Sequence, residues 1–208
     1  MENAPSTSTK GIWHWNIFRL TVGLSLLYFI LLFTFGSFDE ASTRQAIRIS
    51  ARIAAVLFCM AFGASAFHRW MKNSFSFWLL MNRKYFGISF AVVHLIHLCF
   101  LLILQQYFHP VFNLAKTSSL LGGGLAYFFV VLMLLTSFPA FSKHLSRQHW
   151  KALHTVGSYW IWIIFFRSYL KRALTEYEYV PLVVVLVFVL GLRLLFLKGK
   201  MGGSFRSA

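Results

Sequence analysis

The sequence predicts an all-α membrane protein, a polytopic bundle of about six transmembrane helices. Three observations predict it. Of 208 residues 58% are apolar and only 12% charged, about half the charged share of an ordinary soluble domain. Mean hydropathy is +0.66. The apolar residues also gather into continuous runs close to the 20 or so residues needed to cross a hydrocarbon core about 30 Å thick. Continuous runs, rather than polar/apolar alternation, argue against a β-barrel.

The runs cover residues 17–35, 53–67, 86–108, 124–139, 153–170 and 180–197. The first follows a polar Ser/Thr-rich cytoplasmic tail, residues 1–13. It is too long for a signal-peptide core and no small-x-small cleavage site follows it, so it reads as a retained helix. The second run is short. Before it, Ala46, Ile47 and Ile49 interleave with Arg44, Arg48 and Arg52, a pattern suited to an interfacial approach to the membrane. The third run ends at Pro110, because the residue before a proline is pushed out of helical geometry. The fourth, also short, starts at Gly122, Gly123 and Gly124. A phosphate loop needs a preceding strand and a following lysine, both missing here, so the glycines read as a flexible helix start. Residues 199–208 form a short basic cytoplasmic tail, leaving 14–198 as one six-helix domain. No internal repeat stands out.

A net charge of +15 invites a nucleic-acid reading, but its distribution fits a bilayer instead. With the N-terminus inside, the inner segments carry eleven Lys/Arg, among them Arg69, Lys72, Arg83, Lys84, Lys143, Arg147 and Lys151. The outer loops carry seven: Arg44, Arg48, Arg52, Lys116, Arg167, Lys171 and Arg172. Asp39, Glu40, Glu176 and Glu178 also fall outside. This bias supports a multi-pass protein of the cell membrane with both termini in the cytoplasm. The partner it implies is the lipid bilayer, with basic flanks on anionic head groups, and no nucleic acid. Cys59 and Cys99 lie inside predicted spans with neither disulfide nor metal spacing.

The histidines are the remaining source of chemistry. His94 and His97 lie in the third span, His109 at its outer end, and His154 at the start of the fifth. Ionisable groups in hydrocarbon are costly, so they face the bundle interior and find partners. Imidazole also supplies the axial nitrogens of b-type haem. A haem between two helices takes one histidine from each, at matching depth. The competing account of any one of them is a helix–helix hydrogen bond worth under about 1 kcal/mol. His94 and His97, three apart, share a face. His144 and His149 belong to the basic loop before the fifth span, while His14 and His68 sit at span ends where side chains reach the interface. No G-x-G-x-x-G element occurs in the 208 residues, so electrons would come from a partner or a small carrier.

Asn82-Arg83-Lys84-Tyr85-Phe86-Gly87, followed ten residues later by His97, resembles the Arg-Arg-x-Leu-Gly…His start of the third helix in ferric-reductase-like transmembrane proteins. The stretch Leu135-Thr136-Ser137-Phe138…Trp150-Lys151-Ala152-Leu153-His154…Tyr159 is similar to the Leu-Thr-Ser-Phe…Trp-x-x-Leu-His…Tyr signature of the same family. The nearest pattern is that of the haem-binding membrane subunit of methionine-sulfoxide reductase systems. The two matches span roughly residues 80–170. The resemblance implies a membrane electron-transfer component binding haem b, fed by a quinol or a separate reductase. It leaves open whether the chain is itself an oxidoreductase.

In that family His97 falls on the outer position of the third helix and His154 on the inner position of the fifth. They are the axial candidates, with His94 as a neighbour. The chain departs from the family at the outer position of the fifth helix, which is Arg167; the inner position of the third is Arg83. Protonated arginine has no lone pair for iron. The alternative is therefore a haem-less descendant acting as a structural or partner-binding membrane subunit. Arg167, with Lys171, Arg172 and the arginines at 44, 48 and 52, could grip a propionate, a quinone head or an anionic substrate; the simpler account is snorkelling to head groups.

Overall fold

The computed structural model describes residues 14–108 and 117–202, without the side chains of 117–120 and 197–202. The polar tail, the His109–Pro110 segment and residues 203–208 of the basic tail lie outside them. The fold is an all-α membrane bundle, 89% helical, with no strand among the described residues. Six long helices run in order: α1 Trp15–Phe35, α2 Glu40–Trp70, α3 Ser74–Phe108, α4 Thr117–Leu135, α6 Arg147–Ala173 and α7 Val180–Gly202. A single turn, α5 Pro139–Ser142, and a 3-10 turn, Tyr177–Tyr179, sit in the connections. Four segments are long and apolar enough to cross a bilayer: α1, α2, α3 and Tyr177–Phe196. The apolar part of α4, Leu121–Leu135, is shorter, and α6 carries five basic residues along its length.

Capping chemistry sets several boundaries. Asp39 accepts the Ser42 N–H at 2.7 Å and opens α2, and Ser146 accepts the His149 N–H at 3.2 Å and opens α6. Pro139, in the first turn of α5, lacks only an amide the helix start would leave unpaired. At Gly36 a Cβ would lie 2.4 Å from the Leu32 carbonyl oxygen, so the tight exit from α1 needs glycine.

The arginine-studded stretch before the second run is the first part of α2 itself, which starts at Glu40. Thr43, Ala46 and Ser50 on that stretch are buried, and α2 packs along α3 and against α7. Gly122–Gly124 lie inside α4, and His149 belongs to the first turn of α6. Close approaches hold the layers together. A Cβ on Gly63 of α2 would sit 2.9 Å from Val189 of α7, and one on Gly157 of α6 would sit 2.7 Å from Met133 of α4. Small residues at such crossings let helices meet without the solvent-driven hydrophobic effect. The core between them is aromatic: Phe58 stacks on Phe62 at 5.1 Å and meets Phe90 and Phe165 at 5.3 and 5.5 Å.

Charge is segregated along the bundle. The four described carboxylates, Asp39, Glu40, Glu176 and Glu178, sit at the two connections α1–α2 and α6–α7. The opposite end, made by the α2–α3 and α4–α6 connections, carries Arg69, Lys72, Lys143 and Arg147 and no described carboxylate.

Candidate functional site

Two levels of the bundle carry the candidate side chains. At the level nearer the acidic end, His97 of α3 faces the first half of α2. Its Nδ1 lies 3.0 Å from Ser50 Oγ and 3.1 Å from the Ile47 carbonyl. The Ser50 hydroxyl proton goes to the Ala46 carbonyl at 2.7 Å, and a carbonyl can only accept. His97, as a neutral ring, therefore carries its proton on Nδ1 and leaves the Nε2 lone pair available, the arrangement seen in metal-bound histidines. His94 lies alongside, with ring centroids 5.4 Å apart and planes 14° from parallel. Tyr127 of α4 also stacks on it, at 4.7 Å, and His94 Nδ1 is buried with no hydrogen-bond partner among the described residues.

His154 belongs to the other level. Its Nε2 lies 3.0 Å from Thr136 Oγ1, at the last turn of α4, and its ring stacks on Trp150 at 4.2 Å. The Trp150 indole N–H holds the same corner by donating to the Thr136 carbonyl at 3.0 Å. The Thr136 hydroxyl donates to the Leu132 carbonyl at 2.7 Å, so it accepts from His154 Nε2–H, and the lone pair is on Nδ1.

The register of α2 against α3 measures how far apart these levels are. Ser50 meets His97 and Ser65 meets Arg83, at 3.0 Å. Those two pairs are about fourteen residues apart on α3, or about 21 Å of rise. His154 meets Thr136 beside the α4–α6 connection and lines one cavity with Arg83, so it belongs to the basic half. The structure brings His94 and His97 together and keeps His154 apart from both. One iron cannot join His97 to His154.

That cavity opens within the basic half. It holds about 760 Å³ between α2, α3, α4, α6 and α7, with α5 along one wall. Its apolar lining includes Phe58, Phe62, Phe90, Val130 and Met133, while Arg83, Lys84, Arg147 and Arg193 are its cations, with no acidic side chain among the lining residues. Volume and lining fall within the range of small-molecule sites.

No known protein family matches this chain, and no curated protein does either. The site therefore has to be judged on its own chemistry.

Among the described residues no group of three or more His, Cys, Asp or Glu could hold a metal ion, so a bare-ion centre has no donor set there. Arg167 is exposed. His144 and His149 are exposed, and His68 Nδ1 is occupied by Ser76 Oγ at 2.9 Å. Sequence reasoning passed over Arg193, which donates to the Phe62 carbonyl at 2.7 Å with its guanidinium 4.0 Å from the Phe62 ring centroid. The signal was present: an arginine inside an otherwise apolar run.

Proposed function

We propose that the protein is a membrane electron-transfer component that holds b-type haem in the basic-end cavity, with His154 as the axial candidate. The observation that carries this reading is the cavity itself, which combines an imidazole, apolar walls and charged side chains that are all cationic. A porphyrin with two carboxylates matches that combination in size, in apolar body and in charge. Bound there, haem would supply a one-electron carrier.

The chain's own residues have separable tasks in this reading. Phe58, Phe62, Phe90 and Val130 exclude water. Arg83, Lys84, Arg147 and Arg193 balance carboxylates. Trp150 and Thr136 fix the His154 ring; coordination through Nε2 requires that nitrogen to release its bond to Thr136, whereas Nδ1 already has its lone pair. A bis-histidine site built from His97 and His154 does not fit, for the register reason above. His97 has the tautomer of a ligand but lies at the other level. With the basic end in the cytoplasm, a separate reductase or a quinol would deliver the electrons.

Substitution of the two histidines tests the assignment. Protein from haem-supplied cells is compared as wild type, His154→Ala and His97→Ala by pyridine haemochrome. His154→Ala should lose most of its haem while His97→Ala retains it. Retention in His154→Ala rules out the ligand assigned here. The haem-less structural alternative draws on the hydrogen bonds that already occupy His154 Nε2 and His97 Nδ1; a wild type without haem would favour it.

A further inference from the structure

Arg83 and Arg193 line the same cavity, from α3 and α7. Among the described residues each makes one hydrogen bond, Arg83 to Ser65 Oγ at 3.0 Å and Arg193 to the Phe62 carbonyl at 2.7 Å. Both acceptors are neutral. A guanidinium has five N–H donors, so most of this donor capacity is unused by the described residues. The described carboxylates all belong to the opposite end, in the α1–α2 and α6–α7 connections. Arg193 also lies against the faces of Phe62 and Tyr159, at 4.0 and 5.2 Å from their centroids, which weakens the hydration available to it. Like charges beside apolar walls, with no acidic side chain among the lining residues, are unfavourable, and an anion in the cavity would offer them charge-assisted hydrogen bonds.

We propose that the cavity is a binding site for an anionic amphiphile, whose carboxylate or phosphate head is held between Arg83 and Arg193 and whose apolar body lies against Phe58, Phe90 and Met133. The inference goes beyond the haem reading: the carboxylates of a porphyrin and the phosphate of a membrane lipid share this head-group chemistry.

The test uses the full chain reconstituted in mixed phosphatidylglycerol and phosphatidylcholine vesicles, solubilised in mild detergent and examined by native mass spectrometry. A parallel sample is titrated with hemin and read at the Soret band. Wild type should retain phosphatidylglycerol or haem and discriminate against phosphatidylcholine. The Arg83→Gln/Arg193→Gln double variant should retain that ligand about tenfold less, or weaker still, given the usual strength of hydrogen bonds to charged groups. Lys72→Gln, at the same end but outside the cavity lining, should match wild type. Arg83→Lys and Arg193→Lys keep the charge and serve as folded controls with retention close to wild type. Equal retention of phosphatidylcholine, binding of neither anion by wild type, or undiminished binding by the double variant overturns the proposal. Phosphatidylglycerol retained without a Soret band sinks the haem reading and leaves this one standing. Haem retained equally by the double variant does the reverse.

Discussion

Asn82 ties the start of α1 to α3 through one buried side chain. Its carbonyl oxygen accepts the His14 N–H at 2.8 Å and its amide donates to the Trp78 carbonyl at 2.9 Å, and the residue has no exposed surface. His14 has φ 61°, a conformation uncommon for a residue with a side chain, and its ring packs edge-on to Tyr85 at 5.2 Å. Asn82→Ala removes the acceptor from His14 and the donor from Trp78. It should cost about 1–3 kcal/mol, seen as a lowered unfolding temperature in detergent; unchanged melting would show the two bonds to be dispensable. At this scale the sequence was half legible. The histidines were readable as polar groups in apolar runs, but their proton positions were not. Those depend on Ile47, Ser50 and Thr136, residues far away in the chain whose hydroxyl or carbonyl groups decide which ring nitrogen keeps its lone pair. Arg193 stands in an apolar run, and its position there does not name the Phe62 carbonyl, 131 residues away in the chain, that it meets.

At the scale of elements, the centres of the six runs were legible because burial in lipid demands continuous apolar sequence. Their ends were not. Hydropathy falls off across Arg44–Arg52 although α2 continues through it, because the helix satisfies its own backbone and Asp39 caps it. The Asp39 carboxyl lies below the usual carboxylate range, held down chiefly by the Ser42 backbone N–H. A depressed folded-state value means that the cap's contribution is present above the unfolded value, near about pH 4, and fades as pH falls through the folded one. Amide exchange in the first turn of α2 should therefore accelerate on acidification, and Asp39→Asn, which cannot ionise, should flatten that dependence. A pH-independent first turn in the wild type would contradict the cap. Gly63 makes a second element-scale case. A valine there drives a branched side chain into Val189, so Gly63→Val should destabilise the α2–α7 contact by about 1–3 kcal/mol, measured by thermal unfolding. A neutral result would show that the two helices can part without loss.

Across the whole molecule, the asymmetry of charge organises everything else. The cavity is lined by cations of the basic half, and the acidic end carries an ion pair, Arg52 to Glu178 at 2.6 Å, with Arg52 and Arg172 both over the Tyr179 ring at 4.7 and 5.4 Å. The fold class was legible from composition and run length alone. The difference in level between His97 and His154 was legible only through the family resemblance, which implies an outer position for one and an inner position for the other. The cavity was not, since it arises from five helices whose spacing depends on close contacts such as Gly63 on Val189 and Gly157 on Met133. The motif resemblance pointed to an electron carrier, and the haem proposed above would draw on the cavity's imidazole, apolar walls and cations. An absorption spectrum of the wild-type protein, purified in mild detergent from haem-supplied cells and recorded before and after dithionite, tests this most directly. A Soret band that shifts on reduction is the expected result, and a colourless protein would contradict it.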